Sequence, residues 1–188
     1  MLAALSRKHI AMTGRLGSGP ALGPQVSAAN APRGTDVQRG EYRLSFAAED
    51  IDTVAAHAFL TQAYWSEGIP LATVQRAIAN SLCIALHAQG QGQVGFARVV
   101  TDRTTFGYLC DVYVLEDHRG QGLADWMVQS LLAHPDLQGL RRFMLFTRDA
   151  HPLYARHGFK ALAAPDRGME VVRPGIYLQT APPPADDA

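Results

Sequence analysis

Residues 111–124, DVYVLEDHRGQGLA, constrain this chain most: an apolar strand passes through a short polar turn into a glycine-containing helix start. The helix that follows is amphipathic. Leu123, Met127, Val128, Leu131 and Leu132 share one stripe at helical spacing, while Gln121, Asp125 and Gln129 fall on the other side. A strand that feeds a helix with one apolar face must lay that face on a sheet, so the pattern implies helix packed on sheet. The same segment makes an anion site. The first N–H groups of a helix have no partner within it, they point along the axis, and the helix dipole adds positive potential. Gly120 and Gly122 remove the Cβ atoms that would hold a diphosphate away, Ala124 keeps the next turn small, and Arg119 adds a guanidinium at the lip. Charge-assisted bonds to phosphate are each worth about 1.5–3 kcal/mol, so three or four anchor an anion without a basic patch.

Glycine pairs also cap ordinary turns; the strand before and the amphipathic helix after set this pair apart. No GK[ST] follows, so it is not a P-loop. The third glycine of GxGxxG is missing, so it is not the dinucleotide fingerprint.

Charge and composition narrow the function classes. At 188 residues, with 47% hydrophobic and 18% charged residues, the chain has the length and apolar content of one ordinary domain. Residues 1–39 carry five basic side chains against one acid, Asp36, which leaves residues 40–188 with 12 basic and 16 acidic groups. A mildly acidic body lacks the dense basic face of a nucleic-acid binder, so no nucleic-acid partner is expected. No window approaches the roughly 18 consecutive apolar residues of a membrane span, and no membrane partner is expected. Cys83 and Cys110 lie in apolar runs, offer neither a disulfide scaffold nor a metal spacing, and read as reduced core thiols that suit a cytoplasmic protein. The seven histidines are scattered, so no metal site is expected.

Along the chain, residues 1–39 are rich in Gly and Pro and read as a flexible leader, residues 40–179 as the domain, and residues 180–188, with prolines at 182–184, as a tail. Within the domain the pattern predicts a strand over 42–46, helices over 50–64 and 71–80, strands over 82–88, 94–101 and 107–115, and the long helix. A strand over 143–147, a helix over 150–157 and a last strand near 170–178 complete it. The order β-α-α-β-β-β-α-β-α-β indicates an α/β sandwich on a mixed sheet, with a parallel crossover between the strands ending at Leu115 and Thr147.

RGQGLA resembles the R/Q-x-x-G-x-G/A motif of the GCN5-related N-acetyltransferase (GNAT) superfamily. Residues 147–159, TRDAHPLYARHGF, resemble that family's N-x-x-A-x-x-L-Y-x-x-x-G-F segment at Ala150, Leu153, Tyr154, Gly158 and Phe159. The similarity spans about residues 41–178. The wording around Tyr64-Trp65, Gly95 to Arg98 and Asp111 to Val114 is similar to a bacterial branch of undefined substrate. The resemblance implies a three-layer sandwich with a central mixed, mostly antiparallel sheet and a splayed parallel strand pair at a cofactor cleft. It implies acetyl-CoA as cosubstrate, held by Val112, Tyr113, Val114, Arg119, Gly120, Gln121, Gly122, Leu123, Ala124 and Thr147, the last standing where the family has asparagine.

It further implies transfer of the acetyl group to a primary amine of a small molecule or peptide, by direct attack. Tyr154 matches the family's general acid, and its bland alternative is a core aromatic packed behind Phe159. Asp111 is the other catalytic candidate, as a base or a holder of a cationic acceptor; equally, it pairs with Arg98 across the sheet. Tyr64, Trp65, Arg98 and His151 are expected on the acceptor side. His57, Glu67, His118 and His151 are further base or relay candidates, His118 reading most simply as a solvated loop residue. A homodimer is a further expectation. The competing function is a catalytically silent acyl-CoA-binding sensor or regulatory module, and a nucleotide-binding switch is disfavoured by the absent lysine of the cradle.

Overall fold

The structure is a computed structural model that describes residues 37–178. One six-stranded sheet runs in sequential order: β1 (Val37–Arg39), β2 (Tyr42–Ser45), β3 (Leu82–Ala88), β4 (Gly92–Thr101), β5 (Phe106–Val114) and β6 (Arg142–Met144). Every neighbouring pair is antiparallel except β5 and β6, which are parallel. Antiparallel neighbours need only tight turns. The β4–β5 turn is held by Asp102, whose carboxylate accepts the N–H groups of Thr104, Thr105 and Phe106 at 3.0, 2.8 and 3.0 Å. The parallel step needs a crossover, and α3 (Leu123–Ala133) supplies it.

The two faces of the sheet follow the period-2 alternation of β3. Leu82, Ile84, Leu86 and Ala88 pack with Leu123, Met127, Val128 and Leu131 of α3 and with Tyr154 of α4 (His151–Arg156). Cys83 and Ala85 pack on the opposite face with Ile51, Ala56, Phe96 and Tyr113. That face is covered by α1 (Thr53–Leu60) and α2 (Leu71–Ala79), which meet each other through Leu60, Ile69 and Val74. The result is helix, sheet and helix in three layers, as the resemblance implied, on the mixed sheet that the sequence pattern indicated.

Several boundaries differ from the sequence reading. The leader assigned to residues 1–39 overlaps the sheet, because Val37–Arg39 forms β1 on β2; residues 1–36 and the tail at 180–188 lie outside the described residues. The expected helix over 50–64 shortens to α1. Asp52 caps its start by accepting the N–H of Ala55 at 2.9 Å, and the Ser66 hydroxyl donates to the carbonyl of Leu60 at 2.7 Å at its end. The expected strand over 143–147 is three residues, β6. The expected last strand near 170–178 does not form: that segment runs without strand pairing, exposed throughout, and Pro174 within it removes a ladder donor.

Candidate functional site

The site begins where the parallel pair stops pairing. β6 matches β5 at three register positions, Phe106 with Arg142, Gly107 with Phe143 and Tyr108 with Met144. Gly107 is required there, since a Cβ would meet the Phe143 ring at 2.7 Å. Beyond Tyr108, β5 continues to Val114 while the other chain leaves toward α4, so residues 109–114 have no partner on that side. β5 also carries a bulge here: Cys110 pairs with Arg98 and Tyr113 with Phe96, so Asp111 and Val112 together oppose Ala97. Asp111 sits at φ 56°, the left-handed region that an aspartate adopts at a cost of about 1–3 kcal/mol.

At the C-terminal end of β5 the chain makes a single 3-10 turn, Glu116–His118, and enters α3 through Arg119, Gly120, Gln121 and Gly122. Gly120 and Gly122 both take positive φ, 76° and 71°. A Cβ on Gly120 would meet nothing within 4 Å, so the face of the loop is open. The α3 start carries no side-chain cap, so its first amides have no side-chain partner. Arg119 turns inward, its Nε donating to the carbonyl of Val114 at 2.9 Å, which ties the turn to the strand end. His118 is 7% exposed and not a solvated loop residue as expected. Its Nδ1 lies 2.9 Å from the Tyr42 hydroxyl, which also accepts from the Gln121 side-chain amide at 3.1 Å. A strand β2 residue therefore braces the loop from both sides, a contact across 76 positions that no local motif discloses.

Tyr154, on α4, lies 9% exposed against Phe159. Its hydroxyl makes no hydrogen bond among the described residues. It is not sealed off either, since the one buried orphan polar atom described is His87 Nε2. Burial pushes the phenol up to about 12, and the nearby Tyr64 and Asp149 add to the shift. Tyr64 and Trp65 stand edge to face, 4.9 Å between centroids, on the connection between α1 and α2. The Arg148 guanidinium lies 3.8 Å from the Tyr64 ring centroid, so the loop after β6 reaches the α1–α2 connection above Tyr154. Sequence reasoning missed Tyr42 and Arg148, and it expected Asp149 to cap α4, where the residue before the helix is Ala150 and no side chain caps it.

Asp111 joins the same wall. Its Oδ2 accepts from Arg98 Nε, its Oδ1 accepts from the Trp65 indole N–H at 3.1 Å, and Arg98 Nη1 donates to the Ser81 hydroxyl at 3.2 Å. Val112 packs into the core on the α3 side, and Tyr113 stacks on Phe59 at 3.9 Å on the α1 side. Between α1 and the end of β5 a recess of about 540 Å³ is lined by Ala58, Phe59, Gln62, Gln93, Tyr113 and Leu115. The Thr147 hydroxyl accepts the N–H of Ala150, the residue before α4, at 3.0 Å, and His151 is exposed at the start of that helix. His57 bonds the carbonyl of Ile69 at 3.0 Å, and Glu67 is exposed. Burial pushes the Cys83 and Cys110 thiols up to about 12, and the two are not bonded to each other. Among the described residues no cluster could hold a metal ion.

The fold and site define an α/β protein whose one parallel strand pair opens onto a glycine-lined helix start. The acetyltransferase (GNAT) domain matches residues 78–161, which include β5, the cradle and α4. An acetyltransferase by name, FG08082 of Gibberella zeae, is 34% identical over 141 residues, covering 63% of this chain and 78% of that protein. The crystal structure of a candidate GNAT acetyltransferase from Xanthomonas campestris pv. campestris is 46% identical. It superposes with a TM-score of 0.72 over 76% of this chain and 100% of that one. A candidate acetyltransferase from Clostridium acetobutylicum, crystallised with acetyl-CoA, shares the fold at 19% identity and a TM-score of 0.52, over 70% of this chain and 94% of that one. The chain belongs to the GNAT acetyltransferase family.

Proposed function

We propose that this protein is an N-acetyltransferase that moves an acetyl group from acetyl-CoA to a primary amine of a small molecule or peptide by direct attack. The observation that carries the reading is the coincidence of three features along and just beyond β5: the end of parallel pairing after Tyr108, the Gly120–Gly122 loop, and a phenol on α4 free of hydrogen bonds among the described residues. A diphosphate fits the loop, because positive φ at both glycines turns the backbone outward and no Cβ obstructs it. The amides of Leu123 and Ala124 and the loop from Arg119 to Gly122 would hold it, with Arg119 fixing the loop to Val114. Val112, Tyr113 and Val114 line the unpaired run of β5 beside it.

Acetyl-CoA supplies a thioester: the amine nitrogen bonds its carbonyl carbon and the carbon–sulfur bond breaks. The residues of this chain position the amine and manage protons. Tyr154, protonated throughout the neutral range, donates to the departing sulfur. Against a thiol near 8.5 a phenol near 12 is the weaker acid, so it acts by a hydrogen bond that strengthens as charge builds on sulfur. Asp111 holds Trp65 and Arg98 in place. With both oxygens engaged it serves as an organiser of the acceptor wall in preference to a base, in line with the pairing with Arg98 that its sequence position allowed beside the roles of base and of holder of a cationic acceptor. Tyr64, Trp65 and Arg148 form the remainder of that wall, and His151 lies at its edge on α4. The test is release of free thiol from acetyl-CoA across a panel of primary amines. Release that depends on the acceptor supports the reading, and ATP binding in place of CoA binding would reject it.

A further inference from the structure

Arg39 lies in a segment whose sequence shows no motif, yet the sheet brings it to the cradle. It pairs with Tyr42 across the β1–β2 hairpin, and residues directly opposed on neighbouring strands share a face. Tyr42 braces Gln121 and His118. Arg39, on the same face, extends to the next position of the loop: both terminal guanidinium nitrogens lie 3.9 Å from where a Cβ on Gly122 would stand. The guanidinium carbon lies 5.9 Å from the centroid of the Trp126 ring, one turn into α3. Both distances place the guanidinium over the helix start.

Among the described residues Arg39 has no carboxylate partner and no hydrogen bond, and it is exposed. A cation at the positive end of a helix is at the unfavourable end of the dipole. An anion bound between the two relieves both charges at once, and a planar guanidinium fork matches two phosphate oxygens.

We infer that Arg39 is a ligand of the diphosphate of the acyl-CoA, closing the cradle from the side opposite the α3 amides. The inference rests on the acetyl-CoA reading above. It is tested by titration calorimetry of the full chain and of Arg39→Ala and Arg39→Lys. The ligands are CoA, dephospho-CoA, which keeps the diphosphate and lacks the 3′-phosphate, and pantetheine, which has neither. The expected result is a roughly tenfold loss of affinity for both CoA and dephospho-CoA in Arg39→Ala, partial recovery in Arg39→Lys, and no change with pantetheine. The wild-type affinity should also fall more steeply with salt than that of Arg39→Ala. Equal binding by wild type and Arg39→Ala overturns the assignment while leaving the acetyl-CoA reading intact. A loss confined to CoA places the guanidinium on the 3′-phosphate and overturns the diphosphate assignment. A wild-type chain with no affinity for CoA removes the reading itself.

Discussion

The catalytic proposal narrows at the residue scale to one hydroxyl. Tyr154→Phe keeps the ring that packs on Phe159 and removes only the proton donor, so kcat should fall while affinity for acetyl-CoA stays within about twofold of wild type. General acids contribute typically ~10²–10⁴-fold, and a phenol weakened by burial facing a fair leaving group belongs at the lower end. The pH profile carries the sign. The acid form of Tyr154 is the active one and is lost only as pH rises through about 12, so kcat should climb as the amine deprotonates and show no descending limb below about pH 10. Full kcat in Tyr154→Phe, or a descending limb near neutrality, would assign the proton to another group. Asp111 shows how a residue can be found and its setting missed. Its pairing with Arg98 was legible as cross-strand chemistry, while the bulge that sets it at φ 56° and aligns it with Trp65 was not.

The cradle is the part of this structure that local pattern discloses best, at the scale of elements. Strand, turn and amphipathic helix are each short-range signals, and Gly120 and Gly122 announce their positive φ by being glycine. Gly122→Val puts a β-branched side chain at φ 71°, facing the Arg39 guanidinium at the helix start, so it costs stability by about 1–2 kcal/mol and blocks the anion site. In a thermal-shift assay the variant should melt lower and lose the CoA-induced rise; a rise equal to wild type would reject the site. The three-residue β1 and β6 were poorly legible because such strands are set by their neighbours and carry little pattern of their own. The segment 170–178 failed in the opposite way: Val171, Val172, Ile176 and Tyr177 read as strand, but no pairing partner meets them and Pro174 interrupts the run. The brace from Tyr42 to His118 and Gln121 joins residues more than 70 positions apart, so no window of sequence contains it.

Across the whole molecule, the edge of the sheet and the cofactor site are one unit. Removal of residues 1–39 takes away β1 and Arg39 together, although the leader assignment makes them dispensable. The truncated chain should therefore show a smaller CoA-induced melting shift than the full chain, and an undiminished shift would return β1 to the status of a dispensable edge. The unpaired run of β5 in the sheet and, from the helical layer on one of its faces, the loop into α3 and Tyr154 converge on one cleft, and the account stands or falls on chemistry there. The direct measurement is transfer of isotopically labelled acetyl from acetyl-CoA to a panel of primary amines, read on the amine by mass spectrometry for wild type, Gly122→Val and Tyr154→Phe. The account predicts label on at least one amine with wild type, a large loss in both variants, and retained CoA binding only in Tyr154→Phe. CoA bound tightly by wild type with no label on any amine would contradict it and identify a silent acyl-CoA-binding module.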